Sequence, residues 1–438
     1  MDDIGKSTSE LPSHLTQYIA ALSVSLGGFS FSTSLAYTSS ASHQLMNNST
    51  NSSLVITTDQ NNWFSSTINL GGIIGGLLGG VCVNTLGRRG AMLASVLPFV
   101  GAWVFISFAQ NFAMLMCGRF ISGVCAGVTC IAVPTYIGEI SSPDIRGTLG
   151  MGLPVMVAFG IEYSYIFGAI MTSWRSLALV SAIPPVIYFI LVFFTKESPT
   201  YLLSKGKEEE AKEALQYFRG KHYDVEPEMN VMRQTQEEAR QNTVSMDELK
   251  KPYIVKPLVI SCILMVLQQL SGAIPVLFNM SLIFKVRLCL FPPPAALDVF
   301  FYQKFLDEDR AIENLSWLPL ICLIVFVTAF AIGLSPVPWV MTGELFSLNV
   351  RGPANGVASM VNWTMSFVVS LAFQPLQAAI GPYGIFWFFA ACCAISIIFC
   401  ILVVPETKGK TLQEITRQLG GPDTTEVTLK KQEEISRF

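Results

Sequence analysis

The stretch Pro134-Thr135-Tyr136-Ile137-Gly138-Glu139, followed by Arg146-Gly147, shows how the chain is organised. A related stretch lies further downstream, with Pro338-Trp339, then Glu344, then Arg351-Gly352. In both copies the Arg follows the Glu by seven residues, at a point where a long apolar run gives way to polar sequence. Because similarity at a fixed spacing is the signature of internal repetition, the sequence predicts a chain made of two related halves.

The composition indicates a membrane protein. Of the 438 residues, 51% are hydrophobic and 13% are charged, whereas soluble proteins average about 25% charged residues. Several apolar runs reach the ~20 residues that an α-helix needs to cross a bilayer. The net charge of −3 gives no indication of nucleic-acid binding. We therefore predict an all-α polytopic membrane protein with spans at 17–38, 65–85, 89–109, 113–138, 147–170, 176–195, 255–280, 317–342, 352–375 and 382–404.

The positions of Lys and Arg predict the orientation. These residues gather in 196–254, at Arg88-Arg89 and in the tail, whereas 40–64 contains none. Since basic loops stay in the cytoplasm, both termini are predicted to be cytoplasmic and 40–64 external. The predicted outer loops carry glycosylation sequons that start at Asn47, Asn48, Asn51 and Asn314. The predicted segments are a cytoplasmic lead at 1–16, a six-helix bundle at 17–195, a cytoplasmic helical loop at 196–254, a second bundle at 255–404 and a tail at 405–438.

Polar side chains inside spans are costly and are therefore candidates for substrate binding. Gln268 and Gln269 offer amide donors and acceptors that suit a neutral polyhydroxyl solute, with an interhelical hydrogen bond as the alternative. Trp339 lies in a proline-rich, helix-breaking stretch, where an aromatic face can stack on a sugar or mark the membrane interface. Asn362 and Ser366 are one helical turn apart and can face the same cavity.

Charged residues near the spans suggest coupling and gating. Glu162 lies well inside the fifth run, where it serves either proton coupling or polar packing within the bundle. Opposite charges at cytoplasmic span ends can form a gate of ion pairs, worth roughly 0–1 kcal/mol each when exposed, or can anchor helix ends in the headgroup region. This predicted charge network contains Arg88, Arg89, Glu139, Arg146, Glu344 and Arg351.

Two further patterns predict structure rather than chemistry. Glycines recur every fourth residue in the second span, which favours close helix packing. They form two rows, Gly71, Gly75 and Gly79, and Gly72, Gly76 and Gly80. The acid- and base-rich stretch 207–215 predicts a surface amphipathic helix that braces the cytoplasmic side. No metal-ligand spacing, cofactor motif or enzyme signature is present. Gly409-Lys410-Thr411 has Val404 where a phosphate loop requires glycine, so nothing predicts ATP use.

These motifs together resemble the sugar porter family of the major facilitator superfamily, and within it the insect facilitated trehalose transporters and related glucose carriers. The resemblance implies two six-helix bundles, alternating access, a monomeric transporter in the plasma membrane and a central sugar site that includes the Gln pair and the Trp. It also adds Glu197 and Glu406 to the charge network. The matching pieces are Gly87-Arg88-Arg89, Gly118-Arg119, Pro134 to Gly147, Glu197-Ser198-Pro199, Gln268 to Gly272, Pro336 to Gly352 and Pro405 to Gly409.

Several positions depart from the family pattern. The acid before the Gly-Arg-Arg motif is Asn84, and the Gln of the fifth helix is Pro154. The Asn after the Gln pair is Ile274, and the Pro that opens the motif after helix six is Lys196. These changes alter residues that the family uses for substrate and charge contacts.

The C-terminal half is too short for six spans. Only 36 residues separate 255–280 from 317–342, and two helices of ~20 residues with an outer loop do not fit there. The stretch 286–302 also contains Arg287 and three consecutive prolines, which exclude an ordinary span. We predict that the hairpin of helices eight and nine is missing, which leaves about ten spans and a second bundle two helices short.

The function predicted from these features is facilitated transport of a sugar, trehalose or glucose-like, without ATP. Two alternatives remain open. One is a transport-inactive truncated variant with a sensor or partner role, and the other is a proton-coupled sugar symporter that uses Glu162. The partners implied are the sugar and the lipid bilayer.

Overall fold

The computed structural model describes residues 14–46, 54–241, 251–278, 318–346, 348–406, 414 and 417–418. The described residues form helices and no strands. Internal contacts divide the chain into a first unit, Met1–Gln241 with Leu277–Ser281, and a second unit, Asn242–Val276 with Leu282–Phe438. The predicted missing hairpin at 281–316 and the sequons at Asn47, Asn48, Asn51 and Asn314 lie outside the described residues.

The first unit contains the N-terminal spans and the polar helices that follow them. Two predicted spans are interrupted, one at Met151 and one at Ala182. The break at Ala182 has a clear cause, because Pro184 and Pro185 lack the backbone N–H that would continue the helical hydrogen bonds. The helices are α1 Leu15–Met46, α2 Thr58–Thr85, α3 Arg88–Ser107, α4 Phe112–Ile140, α5 Arg146–Gly150, α6 Gly152–Ile170, α7 Trp174–Ser181, α8 Ile183–Phe193, α9 Pro199–Ser204, α10 Glu208–Arg219 and α11 Glu226–Gln241.

The second unit contains α12 Pro252–Leu270, α13 Leu318–Ile332, α14 Val337–Glu344 and α15 Leu348–Leu402. Helical residues 273–278 continue α12 beyond Gly272. Gly272 has φ +81°, and a Cβ there would overlap the ring of Phe389, so both the backbone and the packing require glycine. Within α15, Gly381 has φ 79° and ψ 162°, which separates two predicted spans.

The described part of the chain contains nine segments long and apolar enough to cross a membrane. They match nine of the ten predicted spans. The tenth, 317–342, is divided at residues 333–336 into α13 and α14. The first span is longer than predicted, because α1 continues to Met46. Its C-terminal part is held by the start of α7 and the loop before it. Tyr37 Oη donates to the carbonyl of Trp174 at 3.0 Å, and Gln44 Nε2 donates to the carbonyl of Met171 at 3.0 Å.

The glycines of α2 allow it to approach α4 closely. A Cβ on Gly71 would overlap the carbonyl oxygen of Phe120, and one on Gly75 would overlap that of Val124. Gly80, on another face of α2, has open space around it. Close packing is therefore confirmed for Gly71 and Gly75, since only glycine lets the two backbones meet.

The three helices that follow the first bundle, α9, α10 and α11, form a small apolar cluster of their own, which includes Leu203, Leu215 and Met229. The amphipathic helix predicted at 207–215 is confirmed as the start of α10. Phe218, near the end of α10, is buried in the same cluster as Tyr136 and Ile140 of α4. These helices are thus anchored to the end of the first bundle where α4 finishes.

Candidate substrate site and cytoplasmic charge cluster

The proline-rich break between α13 and α14 leaves backbone carbonyls available for side chains. Gln268, near the end of α12, donates from Nε2 to the carbonyl oxygens of Leu334 at 2.9 Å and Ser335 at 2.7 Å. The Gln268 side chain is buried. The seventh predicted span therefore contacts the broken helix through an amide that the sequence had indicated for substrate binding.

A second amide completes this buried cluster. Asn362 of α15 donates from Nδ2 to Oε1 of Gln268 at 2.6 Å, and it also lies 3.4 Å from the sulfur of Met265. Gln269, by contrast, has a buried Oε1 with no hydrogen-bond partner. Ser366 is buried one turn beyond Asn362 on α15. Four of the five predicted substrate residues thus lie buried in the second unit, with Gln268 and Asn362 directly bonded.

Trp339 is placed differently from the amides. It follows Pro338 in the first turn of α14, and 42% of its surface is exposed. An exposed indole next to a helix break is available to stack on a ligand or to lie at an interface. Both interpretations of Trp339 remain open in the structure of the second unit.

One end of the first unit, where α3 begins and α4 ends, holds a compact charge cluster. Arg88 and Glu139 form an ion pair at 2.5 Å, with side chains only 13% and 17% exposed. Ser198 donates from Oγ to the other oxygen of Glu139. The carboxylate of Glu197 accepts from the backbone N–H groups of Arg88 at 3.1 Å and Arg89 at 3.1 Å. Because a helix N-terminus favours an anion, Glu197 caps α3 and fixes the Arg pair.

Two other predicted members of this network in the first unit, Arg89 and Arg146, bond backbone carbonyls. Arg89 donates to the carbonyl of Phe193 at 2.6 Å rather than to an acid. Arg146 is exposed and donates to the carbonyl of Ser141 at 3.3 Å. Glu406 is exposed after the end of α15. Glu344 and Arg351 lie at the end of α14 and near the start of α15, but their side chains are outside the described residues.

Glu162 lies on the exposed side of α6. The opposite face of α6 packs against α1, where Thr33 Oγ1 donates to the carbonyl of Gly160 at 3.2 Å and a Cβ on Gly160 would overlap Phe29. No ion pair within the described residues includes Glu162. In the structure of the first unit, Glu162 is therefore not a buried polar group.

Arg119 is a buried cation that the sequence analysis treated only as part of a motif. It is fully buried and donates to the carbonyls of Ser34 at 2.6 Å and Phe64 at 3.4 Å, and to the hydroxyl of Thr38. Its guanidinium also lies 5.0 Å from the ring centroid of Phe64. The sequence did contain a signal for Arg119, because a charged residue within an apolar run such as 113–138 needs bonding partners inside the protein.

The buried amide cluster has a defined chemical character. Gln268, Gln269, Asn362 and Ser366 are all uncharged and offer hydrogen-bond donors and acceptors. Such groups fit hydroxyls of a neutral solute and offer no counter-ion for a charged one. In the part of the chain that the structure describes, no group of three His, Cys, Asp or Glu side chains is arranged to hold a metal ion.

Comparison with known proteins places these features in context. The family model described as "Sugar (and other) transporter" matches residues 18–286 and 296–419. The facilitated trehalose transporter Tret1 of Drosophila yakuba is 37% identical over 451 residues, covering 93% of this chain and 52% of that protein. The protein of the same name from Apis mellifera ligustica is 35% identical, covering 93% of this chain and 88% of that one.

The chain spans about half the length of the fruit-fly relatives it matches. The alignment with the Drosophila yakuba protein extends over 451 residues, which exceeds the 438 residues of this chain. That relative therefore has residues inside the aligned region for which this chain has no counterpart. This agrees with the predicted internal loss, although its position at 281–316 stays a prediction.

Solved structures share the fold. The major facilitator proton:xylose symporter XylE, bound to 6-bromo-6-deoxy-D-glucose, matches with a TM-score of 0.73 at 21% identity, covering 92% of this chain and 99% of that one. An inward-open structure of the xylose transporter XylE from E. coli matches with a TM-score of 0.70 at 23% identity, covering 91% and 98%. The predicted major facilitator fold is thereby confirmed.

Proposed function

The chain belongs to the sugar transporter family, and we propose that it carries a sugar across a membrane by facilitated transport. It is a multi-pass membrane protein with the major facilitator fold. The observation that carries the proposal is its identity of 35–37% to proteins named facilitated trehalose transporters, over 93% of its length. We propose trehalose or a glucose-like sugar as the substrate.

The buried amide cluster supports a neutral sugar as the substrate. Gln269 has an unpaired acceptor oxygen in a buried position, and a buried polar group without a partner is costly. A sugar hydroxyl that donates to this oxygen would remove that cost. We propose that Gln268, Gln269, Asn362, Ser366 and Trp339 form the part of the sugar site that the second unit contributes.

The cytoplasmic cluster supports a gating role. Arg88 and Glu139 are largely shielded from solvent, and Ser198 and Glu197 hold both groups in place. We propose that this cluster, with Arg89, Arg146, Glu344, Arg351 and Glu406, controls the inner mouth during alternating access without ATP. We further propose a monomer in the plasma membrane with cytoplasmic termini.

Uptake into vesicles tests the function. The purified full chain, reconstituted in liposomes, is given labelled trehalose or glucose with and without an inward proton gradient. Saturable uptake that ignores the gradient supports facilitated transport. Uptake that requires the gradient, and that Glu162→Gln makes gradient-independent, supports the symporter instead. No uptake by protein that is correctly inserted supports the transport-inactive variant and contradicts the proposal.

A further inference from the structure

A cavity of about 230 Å³ opens where α4, α5 and α6 meet in the first unit. Its lining is apolar apart from one cation and consists of Pro134, Ile137, Gly138, Arg146, Gly150 and Leu153. Pro134 and Gly138 are one turn apart on α4 and therefore share a face. An added Cβ on Gly138 or on Gly150 would meet no atom within 4 Å. The space exists because these helices carry glycine where a larger side chain would fit.

Among the described residues that line the cavity, Arg146 is the one that carries a charge. Its guanidinium donates to a backbone carbonyl at 3.3 Å, and no ion pair between described residues includes it. The two neighbouring acids are engaged elsewhere, since Glu139 pairs with Arg88 at 2.5 Å and Asp144 lies 3.2 Å from His14. The charge of Arg146 is therefore available to an anionic ligand.

The charge and the apolar surface of the cavity lie at different depths. Arg146 is the first residue of the candidate span Arg146–Ile170, whereas Leu153 follows about 10 Å further along the helical segment. A charged residue at the end of a span lies near the lipid headgroups, and the apolar residues that follow it lie in the hydrocarbon region. A ligand that matches both parts has an anionic head group and an apolar tail.

The size and chemistry of the lining distinguish between such ligands. Sites for drug-sized molecules occupy roughly 300–1,000 Å³, so this smaller cavity suits one slender chain better than the two chains of a phospholipid. A single cation among apolar side chains cannot bond the several hydroxyls of a sugar. A carboxylate, in contrast, accepts two parallel hydrogen bonds from one guanidinium. We propose that the cavity binds a fatty-acid anion, with its carboxylate on Arg146 and its chain between Pro134, Gly138 and Leu153.

Occupation of this cavity has a consequence for transport. Arg146 belongs to the charge network that the proposed function assigns to the inner mouth, and this consequence, unlike the binding itself, rests on that function. A bound carboxylate pairs with Arg146 and withholds it from the acids of the network. A fatty acid therefore slows sugar uptake by occupying the cavity.

Photolabelling tests the site without requiring transport. The full chain is placed in phosphatidylcholine nanodiscs with dodecanoate that carries a diazirine in its chain, and labelled peptides are identified by mass spectrometry after irradiation. We expect label on peptides covering 134–138 and 150–153. The matching diazirine dodecanol should label them about tenfold less, because an alcohol has no charge to pair with Arg146. Equal labelling by the acid and the alcohol would overturn the proposal.

A matched pair of substitutions tests the cavity itself. Gly138→Leu places a side chain in the cavity, whereas Gly101→Leu on α3 also enters open space but lies outside the lining. Both variants replace glycine within an α-helix, so the change in helix propensity is the same. We expect Gly138→Leu to lower dodecanoate labelling of 134–153 about tenfold and Gly101→Leu to leave it unchanged. Labelling of the same strength in the two variants contradicts the site.

The head group is tested by substitution and by competition. Arg146→Gln should reduce dodecanoate labelling to the level of dodecanol on the unmodified chain, and labelling that stays at the unmodified level would remove Arg146 from the site. If this variant does not fold, the comparison of acid and alcohol on the unmodified chain decides the same point. Displacement of the label by phosphatidylserine at lower concentration than by unlabelled dodecanoate would assign the cavity to a phospholipid and overturn the fatty-acid assignment.

Uptake measurements separate the site from the proposed function. We expect dodecanoate to slow sugar uptake severalfold in the unmodified chain and in Gly101→Leu, and to leave the uptake by Gly138→Leu unchanged. Uptake that dodecanoate does not slow in the labelled, unmodified chain would overturn the effect on transport. If the unmodified protein takes up no sugar, the proposed function fails, and the labelling still decides whether the cavity binds the acid.

Discussion

Arg119 is a fully buried charge that connects α4 to α1 and α2 in the first bundle. Its guanidinium reaches α1 through Ser34 and Thr38 and reaches α2 through Phe64. No ion pair in the described residues gives it an acidic partner. The charge is instead stabilised by neutral oxygens and by the faces of Phe64 and Tyr37, which a planar guanidinium can contact at once.

We predict that Arg119→Lys destabilises the protein by about 1–3 kcal/mol, because an ammonium cannot bond three separated acceptors and leaves buried carbonyls unsatisfied. The melting temperature of the detergent-solubilised protein measures the loss. Arg233→Lys is the matched control, since Arg233 pairs with Glu208 at the surface and exposed pairs are worth roughly 0–1 kcal/mol. Equal melting of both variants would show that the buried guanidinium geometry is unimportant.

Sequence alone identified the buried polar residues of the candidate site but not the difference in their hydrogen bonding. Gln268 and Gln269 are chemically identical, and the sequence shows no difference between them. Which of the two amides hydrogen-bonds the carbonyls of the broken helix depends on where α12 passes the break at Pro338. This is a contact between residues 66 positions apart. Arg119, in contrast, could have been selected from its intramembrane position, because a charge there always needs a partner.

The α2–α4 pair is the closest helix contact of the first bundle. We predict that Gly75→Ala lowers the melting temperature, since its Cβ would overlap the carbonyl of Val124 and force the helices apart. Overpacking of this kind costs typically 1–3 kcal/mol. Gly80→Ala on the same helix is the control, because its Cβ enters open space. A stability loss of the same size at both positions would contradict the packing explanation, because alanine has the higher helix propensity and Gly80→Ala alone should not destabilise the helix.

A largely buried ion pair joins α10 to α11, and its Arg also bonds the first bundle. Arg219 bonds Glu228 at 2.6 and 2.9 Å and the carbonyl of Ile140 at 2.8 Å. Gln17 of α1 adds a bond from Nε2 to the carbonyl of Phe218 at 3.0 Å. Residues from α1, α4, α10 and α11 thus meet at one point.

We predict that Glu228→Gln loosens this attachment by about 2–5 kcal/mol, because truncating one partner leaves the Arg219 charge buried without compensation. Faster proteolysis within 196–241 measures the effect. Glu210→Gln is the control, since Glu210 pairs with Lys207 and both side chains are more than half exposed. Protease resistance that is unchanged in Glu228→Gln would mean that apolar contacts around Phe218 suffice.

The sequence predicted element types and order better than element ends. The amphipathic pattern at 207–215 and the glycine spacing in α2 both led to the observed structure, because each is a local signal. The extension of α1 to Met46 was missed, since its last turns are polar and stay helical only through contacts with Trp174 and Met171. Such contacts join residues more than 100 positions apart, and no local pattern encodes them.

At the level of the whole molecule, the repeat seen in the sequence agrees with a chain that divides into two units. The two copies of the Glu-Arg motif fall in different units, at the end of α4 and the end of α14. A duplicated architecture requires both copies to lie on the same side of the membrane if each half crosses it an even number of times. The basic residues predict that this side is the cytoplasm.

We predict that removal of N-linked glycans increases the electrophoretic mobility of the wild-type chain made in animal cells. The combined variant Asn47→Gln, Asn48→Gln and Asn51→Gln should lose most of that shift, because the predicted loop 40–64 faces the lumen during synthesis. An epitope tag placed in 1–16 should be reached by antibody only after permeabilisation. Asn362→Gln is the control, since its sequon lies within α15 and cannot be glycosylated there. Two outcomes would reverse the predicted orientation. One is a tag that antibody reaches on intact cells, and the other is glycans that persist in the triple variant and disappear with Asn362→Gln. Either outcome would also contradict the proposal that the Arg88–Glu139 cluster lies at the inner mouth.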